Sequence, residues 1–204
     1  MEKQSSIEKP ILVAVEGKDD ARFLKYLCKK WGFYNIQFRY IGCQPNDSNI
    51  SAITKEPGFI DKVNCFVIIR DADTDFFSAE ESTKEIFLKL GLAIKTASFI
   101  FPDNKSNGML ETLLTRVVEQ NEPDKNECIN RFINCLMAKG INIPSKEIDK
   151  AKIYAYLSAN EEPGKRIGDA AEQLNLWDTE SDVLKPVKNF FEKLCDEISH
   201  KKYE

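Results

Sequence analysis

The feature that most constrains this chain is a repeated alternation of short, unbroken apolar runs with apolar residues at helical spacing. Ile11-Leu-Val-Ala-Val15 is a continuous apolar run closed by Glu16-Gly17, as expected of a strand buried on both faces. Leu24, Leu27, Cys28 and Trp31 then recur at i, i+3, i+4 and i+7, with Asp19 and Asp20 where a helix N-terminus favours anions and Gly32 as a stop. Ile36 to Ile41 alternates as a second strand, Val63 to Ile69 is another buried run, and Lys95 to Phe101 a further strand. Between the last two, a helix is predicted from Ser78, whose S-x-x-E spacing to Glu81 reads as a capping box, to Gly91. Leu110, Leu113, Leu114, Val117 and Val118 predict the next amphipathic helix. The stretch from Gly42 to Gly58, with Pro45, Asn46, Asp47, Ser48, Asn49 and Pro57, reads as a mobile or partner-facing loop. The alternation implies an α/β fold, a mainly parallel sheet flanked by helices.

Beyond Glu119 the pattern is helical. Ile129, Phe132, Ile133 and Leu136 form one stripe, and Val187, Phe190, Phe191, Leu194 and Ile198 another, with further segments at 145–159 and 167–174 between them. A single domain is expected over 1–204, with an α/β core at about 10–120 and a helical extension at about 121–204 packed on it.

The charge balance, 29 Lys+Arg against 33 Asp+Glu for a formal −4, excludes a global cationic field, so nucleic acid binding needs local help. The longest apolar runs are five residues, against the ~18 or more of a membrane span. Met1 to Pro10 has no apolar signal core, so a cytoplasmic location is expected. Six cysteines (28, 43, 65, 128, 135, 195) lie apart without a C-x-x-C pair, against a zinc ribbon or disulfide framework; most are expected to be reduced core thiols. The single histidine, His200, leaves no Ser-His or Cys-His dyad. Gly164-Lys165 lacks the order of a P-loop, and Gly17 lacks G-x-G-x-x-G companions. Chemistry must therefore run on carboxylates, lysines or hydroxyls.

Ligands of an open parallel sheet collect at the carboxyl ends of its strands. Here Glu16 follows one strand, Asp71 and Asp73 another, and Asp103 a third. Two carboxylates about 4 Å apart repel by roughly 4 kcal/mol at an effective dielectric near 20, so converging tips must hold protons or cations. An all-oxygen donor set favours one or two Mg²⁺ or Mn²⁺ ions over zinc. Singly, such acids are ordinary turn and cap residues, and Asp19, Asp20, Asp75 and Glu80 read that way. Asp71-x-Asp73 differs, because it aims two like charges to one side of a very apolar strand's tip.

Val15-Glu-Gly-Lys-Asp-Asp20, together with Asp71-Ala-Asp73, resembles a Toprim domain, the fold of topoisomerases, primases and nucleases of the OLD (overcoming lysogenization defect) kind. The resemblance implies a Rossmann-like sheet, Glu16 in acid/base or metal-binding work, and Asp71 and Asp73 as Mg²⁺ ligands. The 55 residues from Glu16 to Asp71 exceed the spacing of minimal Toprim domains, which implies an insertion around 47–58. Phe101-Pro-Asp-Asn-Lys-Ser-Asn-Gly-Met-Leu-Glu-Thr-Leu113 resembles a P-D-x…G-x-L-E-x-L segment of small Toprim/OLD-related proteins; Lys152 to Leu157 and 167–178 resemble their C-terminal half.

Glu111 lies in the first turn of its predicted helix at the edge of the buried face, where it completes a metal site or merely compensates the helix dipole. Lys152 shares a face with Ile148, Ala155 and Ala159 and is a candidate to stabilise a pentavalent phosphate; Lys18 is a candidate phosphate contact. For both, simple solvation is the competing account. The aromatics Trp31, Phe33, Tyr34, Phe38 and Tyr40 can stack bases, although packing explains them more cheaply. The function expected is a Mg²⁺-dependent phosphodiesterase or nuclease acting on DNA or RNA. Its rival is a non-catalytic or regulatory module that binds a nucleotide or a partner ATPase, which the net negative charge favours slightly. A homo-oligomer stays open.

Overall fold

The computed structural model describes residues 6–200. Four strands, β1 (Ile11–Val15), β2 (Ile36–Tyr40), β3 (Cys65–Asp71) and β4 (Lys95–Phe101), form a parallel sheet in the order β2-β1-β3-β4. β1 and β3 are central, and their side chains are buried on both faces except at the β3 tip, which is why they read as continuous apolar runs. The helices are α1 (Lys18–Lys30), α2 (Asp47–Thr54), α3 (Phe59–Lys62), α4 (Phe76–Leu90), α5 (Leu110–Asn121), α6 (Pro123–Ala138), α7 (Ile148–Ser158), α8 (Ile167–Leu174) and α9 (Lys185–His200).

Period-two alternation divides the core. Ile11, Val13 and Val15 with Cys65, Val67 and Ile69 face one continuous cluster that includes side chains from α1 and α5 to α9. Leu12, Ala14, Phe66 and Ile68 face the opposite cluster, covered by α2, α3 and α4. The helices beyond residue 121 thus close one face of the sheet, with Phe23 against Trp177, Tyr156 against Trp177 and Phe38 against Phe191.

Several sequence expectations are corrected. The 42–58 stretch contains a helix: Asn46 accepts the amides of Ser48 and Asn49, and the Asn49 side chain accepts the Asn46 amide. Two of the residues read as loop markers, Asn46 and Asn49, are the reciprocal cap of α2, whose Ile50 and Ile53 are buried. α4 starts two residues early, at Phe76, because Asp75 rather than Ser78 is its cap and accepts the Ser78 amide. Of the six cysteines, all free, Cys28 and Cys65 are buried, Cys195 is half-buried and Cys43, Cys128 and Cys135 are exposed, so most are not core thiols. Phe132 is exposed, and Ile129 and Ile133 alone are the fully buried side chains of α6. No helix among the described residues is long and apolar enough to cross a membrane.

Candidate active site

The sheet order creates a switch point. From β1 the chain crosses to β2 on one side, and from β3 to β4 on the other. The crevice at the carboxyl ends of β1 and β3 is where such sheets bind ligands. Glu16 leaves β1 and Asp71 ends β3 at this point.

The register fixes their neighbours. Val15 pairs with Ile69, so Glu16 lies alongside Arg70, and Arg70 Nε stands 3.6 Å from Glu16 Oε1. That spacing is an ion pair too long for a hydrogen bond; both atoms are buried without a hydrogen-bond partner. The nearby Asp71 backbone favours the charged form of the Glu16 carboxyl. Asp71 points to the other side of the pleat, and its Oδ1 accepts the Leu110 amide at 3.0 Å. It thereby satisfies one of the unpaired donors at the start of α5. Asp73 stands in the left-handed region at φ 50, a conformation that costs a non-glycine residue about 1–3 kcal/mol and clusters at functional sites. It is held there by paired backbone hydrogen bonds with Gly108, both 2.8 Å, while the Gln44 amide donates to its Oδ2 at 3.3 Å. Asp73 also borders a hollow of about 290 Å³ whose lining includes Asn107, Thr112, Lys146 and Asp149.

Charge repulsion links these acids. Burial lifts the Glu16 carboxyl from 4.5 to about 7, against the pull of Arg70 and with help from Asp73 and Asp20. Burial also raises Asp71 well above the carboxylate range, with Asp20, Glu16 and Glu111 adding to it. Glu111 is raised by burial, relieved by Lys150 and reinforced by Asp20 and Glu147. Asp20 is itself raised by burial. Clustered carboxyls with raised affinities for protons are the electrostatic mark of a functional site.

Asp20 reads from the sequence as a cap residue only, and nothing in the local sequence pattern marks Arg70 or Lys150. Asp20 is both cap and cluster member: its Oδ2 accepts the Gly17 amide at 2.9 Å, and a Cβ on Gly17 would stand 3.0 Å from that oxygen. Its spacing of four residues from Glu16 was the available signal. Lys150, not Lys152, is the lysine whose charge acts on Glu111; Lys152 is half-buried on α7. Lys18 is the exposed first residue of α1. Asp103 is otherwise engaged. Its carboxylate accepts the amides of Lys105 and Ser106 and the Ser106 hydroxyl, and pairs with Arg116 at 2.7 Å. Burial raises its pKa, but the Arg116 pairing and the Ser106 hydroxyl and amide bonds together bring it below the ordinary value. Among the described residues no three Asp, Glu, His or Cys side chains are gathered as a ready metal site.

Residues 10–196 match the family described as protein of unknown function (DUF3226), and the chain belongs to that family. No curated protein matches the sequence. Among solved structures, the C-terminal region of the OLD protein of Xanthomonas campestris pv. campestris is similar at 12% identity and a TM-score of 0.47. The match covers 96% of this chain and 98% of that chain.

Proposed function

We propose that this member of the DUF3226 family is a Toprim-like phosphodiesterase that hydrolyses nucleic acid with Mg²⁺ or Mn²⁺, through Glu16, Asp71 and Asp73. One observation carries the reading: the carboxylates of Glu16 and Asp71 stand at the adjoining tips of β1 and β3 at the switch point, Glu16 Oε1 buried without a hydrogen-bond partner, with Asp20 and Glu111 adding like charge to Asp71 and Asp20 and Asp73 to Glu16. A purely structural turn needs no such concentration of like charge, which costs stability unless a cation offsets it.

The residues suit a divalent ion in their chemistry. The donors are all carboxylate oxygens, and Glu16 Oε1 is buried without a hydrogen-bond donor. Since no three acids are gathered among the described residues, binding requires side-chain rotation, for which Asp73, exposed and held by one amide of Gln44, is the natural candidate. Asp71, Asp73 and Glu16 would hold one or two ions, with Glu111 completing the set. Bound there, the metal supplies polarisation of the scissile phosphate and a lowered pKa for the attacking water. Glu16, with a pKa of about 7, is matched to neutral pH as the base that takes the water's proton on a carboxylate oxygen. Arg70 orients it, and the Leu110 amide fixes Asp71. Lys18 and Lys152 are proposed as phosphate contacts, while Asp103 keeps its loop and its pairing with Arg116.

A second reading, a non-catalytic module that binds a nucleotide or a partner ATPase through the same acids, is favoured by the ungathered arrangement of the carboxylates. Calorimetric titration of Mg²⁺ and Mn²⁺, paired with cleavage assays on single- and double-stranded DNA and RNA, separates the two. Metal binding and cleavage that both disappear in Asp71→Asn/Asp73→Asn support the phosphodiesterase. Binding without cleavage of any substrate favours the module, and no binding overturns the metal-dependent phosphodiesterase.

A further inference from the structure

The acidic site leaves unexplained a groove of about 590 Å³ between α1 and the edge strand β2. Lys18, Arg22, Lys25 and Lys29 line it at i, i+4, i+7 and i+11 of α1, one face of a helix. The stripe runs about 16 Å by helical rise. Lys9 adds another cation, and Glu8 is the one acid among the described lining residues; Arg39 also borders the groove, but it is buried and its charge is met by Glu56. The groove therefore inverts the charge balance of a chain with 29 basic and 33 acidic residues. Arg22 is bridged to Asp169 and Glu172, which meet its charge; Lys25 and Lys29 are exposed and carry the free charge of the stripe. Phe33, Phe38 and Tyr40 line the same groove half-buried, and Tyr34 is 67% exposed at one end. The stripe starts at Lys18, two residues after Glu16, so one end of the groove meets the acids.

We propose that this groove is a track for single-stranded nucleic acid, with phosphates along the α1 stripe and unstacked bases against Tyr34 and its aromatic neighbours. A positive groove with aromatic platforms is the chemistry that holds single strands without sequence preference. A duplex hides its base faces, and an acidic peptide has no use for the rings. The track deepens the phosphodiesterase reading by naming its substrate class, and rests on it for the direction of threading alone.

The test is fluorescence anisotropy of a labelled twelve-nucleotide oligo(dT) in EDTA, where hydrolysis cannot intervene. Hydrolysis of bis(p-nitrophenyl) phosphate with Mn²⁺ is read separately. The single strand is expected to bind more tightly than a duplex of equal length. Lys25→Glu/Lys29→Glu should weaken binding at least tenfold and, by loss of two phosphate contacts, flatten the slope of log affinity against log salt by about 1.4. Tyr34→Ala should weaken it about fivefold or more through lost stacking. Both variants should unfold at the wild-type temperature and hydrolyse the small phosphodiester normally. Unchanged affinity in both variants, equal affinity for duplex, or equal competition by polyglutamate overturns the proposal. Oligonucleotide binding without hydrolysis of the small substrate upholds the track and sinks the phosphodiesterase; the converse sinks the track.

Discussion

Replacing Glu16 by Gln should stabilise the protein while removing its activity, and the gain should depend on pH. Burial lifts the folded-state pKa of Glu16 to about 7 from an ordinary 4.5. Between those values the unfolded chain releases a proton that the folded chain keeps, so stability falls as pH rises through that window, with the full penalty above pH 7. The 2.5-unit difference corresponds to about 3.4 kcal/mol at 1.36 kcal/mol per unit. Solvent reaches part of the carboxylate, which reduces the expected penalty to about 2 kcal/mol. Glutamine cannot ionise and escapes it. Urea unfolding of both proteins in EDTA from pH 4 to 8.5 should show nearly equal pH-dependent contributions below pH 4.5. By pH 8 the variant should have gained about 2 kcal/mol relative to wild type, or about 4–8 °C in Tm for a chain of this size. Millimolar Mg²⁺ should shrink the gap by binding the folded wild type preferentially. A stability difference that stays flat from pH 4.5 to 8 would refute the reasoning.

Other substitutions separate structural from chemical duties. Asp71→Asn keeps an oxygen for the Leu110 amide and should lose metal-dependent cleavage at least 100-fold in a kinetic assay without losing the fold. Asp71→Ala also strips that amide of its acceptor and should cost a further ~1–2 kcal/mol in chemical denaturation. Gly108→Ala puts a Cβ 2.7 Å from Thr112 Oγ1 at φ +134, so thermal unfolding should report a loss of about 1–3 kcal/mol. Cleavage should fall with it, because the Gly108 backbone positions Asp73. Asp103→Ala should lower stability by about 1–2 kcal/mol through its lost loop and Arg116 bonds while leaving calorimetric Mg²⁺ affinity unchanged; a tenfold loss of affinity would restore Asp103 to the ligand set.

The elements legible in the sequence were those whose burial is periodic. β1 and β3 read as apolar runs because helices cover both faces, and α1, α5 and α9 because each buries one stripe. The α2 helix is hidden in the sequence because its signal lies in a cap: Asn46 and Asn49 are loop formers in general and helix starters only when they pair with each other's amides. Phe132 satisfied the helical period yet faces outward, since spacing alone does not say which of two flanking stripes meets the core. At the candidate site, the placement of Glu16 and Asp71 at strand tips is legible because each follows a continuous apolar run. Asp20 was not, because a residue that accepts its own cap amide looks structural. Arg70 and Lys150 depend on strand register and helix docking, which no local pattern encodes. The basic stripe of α1 was present in the spacing of residues 18, 22, 25 and 29, but whole-chain charge concealed it.

The central claim, that the acids at the tips of β1 and β3 gather around a divalent ion, is tested most directly by crystals grown with Mn²⁺ and measured near the manganese absorption edge. The account predicts an anomalous peak among the carboxylates of Glu16, Asp71 and Asp73, absent in Asp71→Asn/Asp73→Asn. Wild-type crystals without a peak there, or with manganese bound only elsewhere, would contradict it.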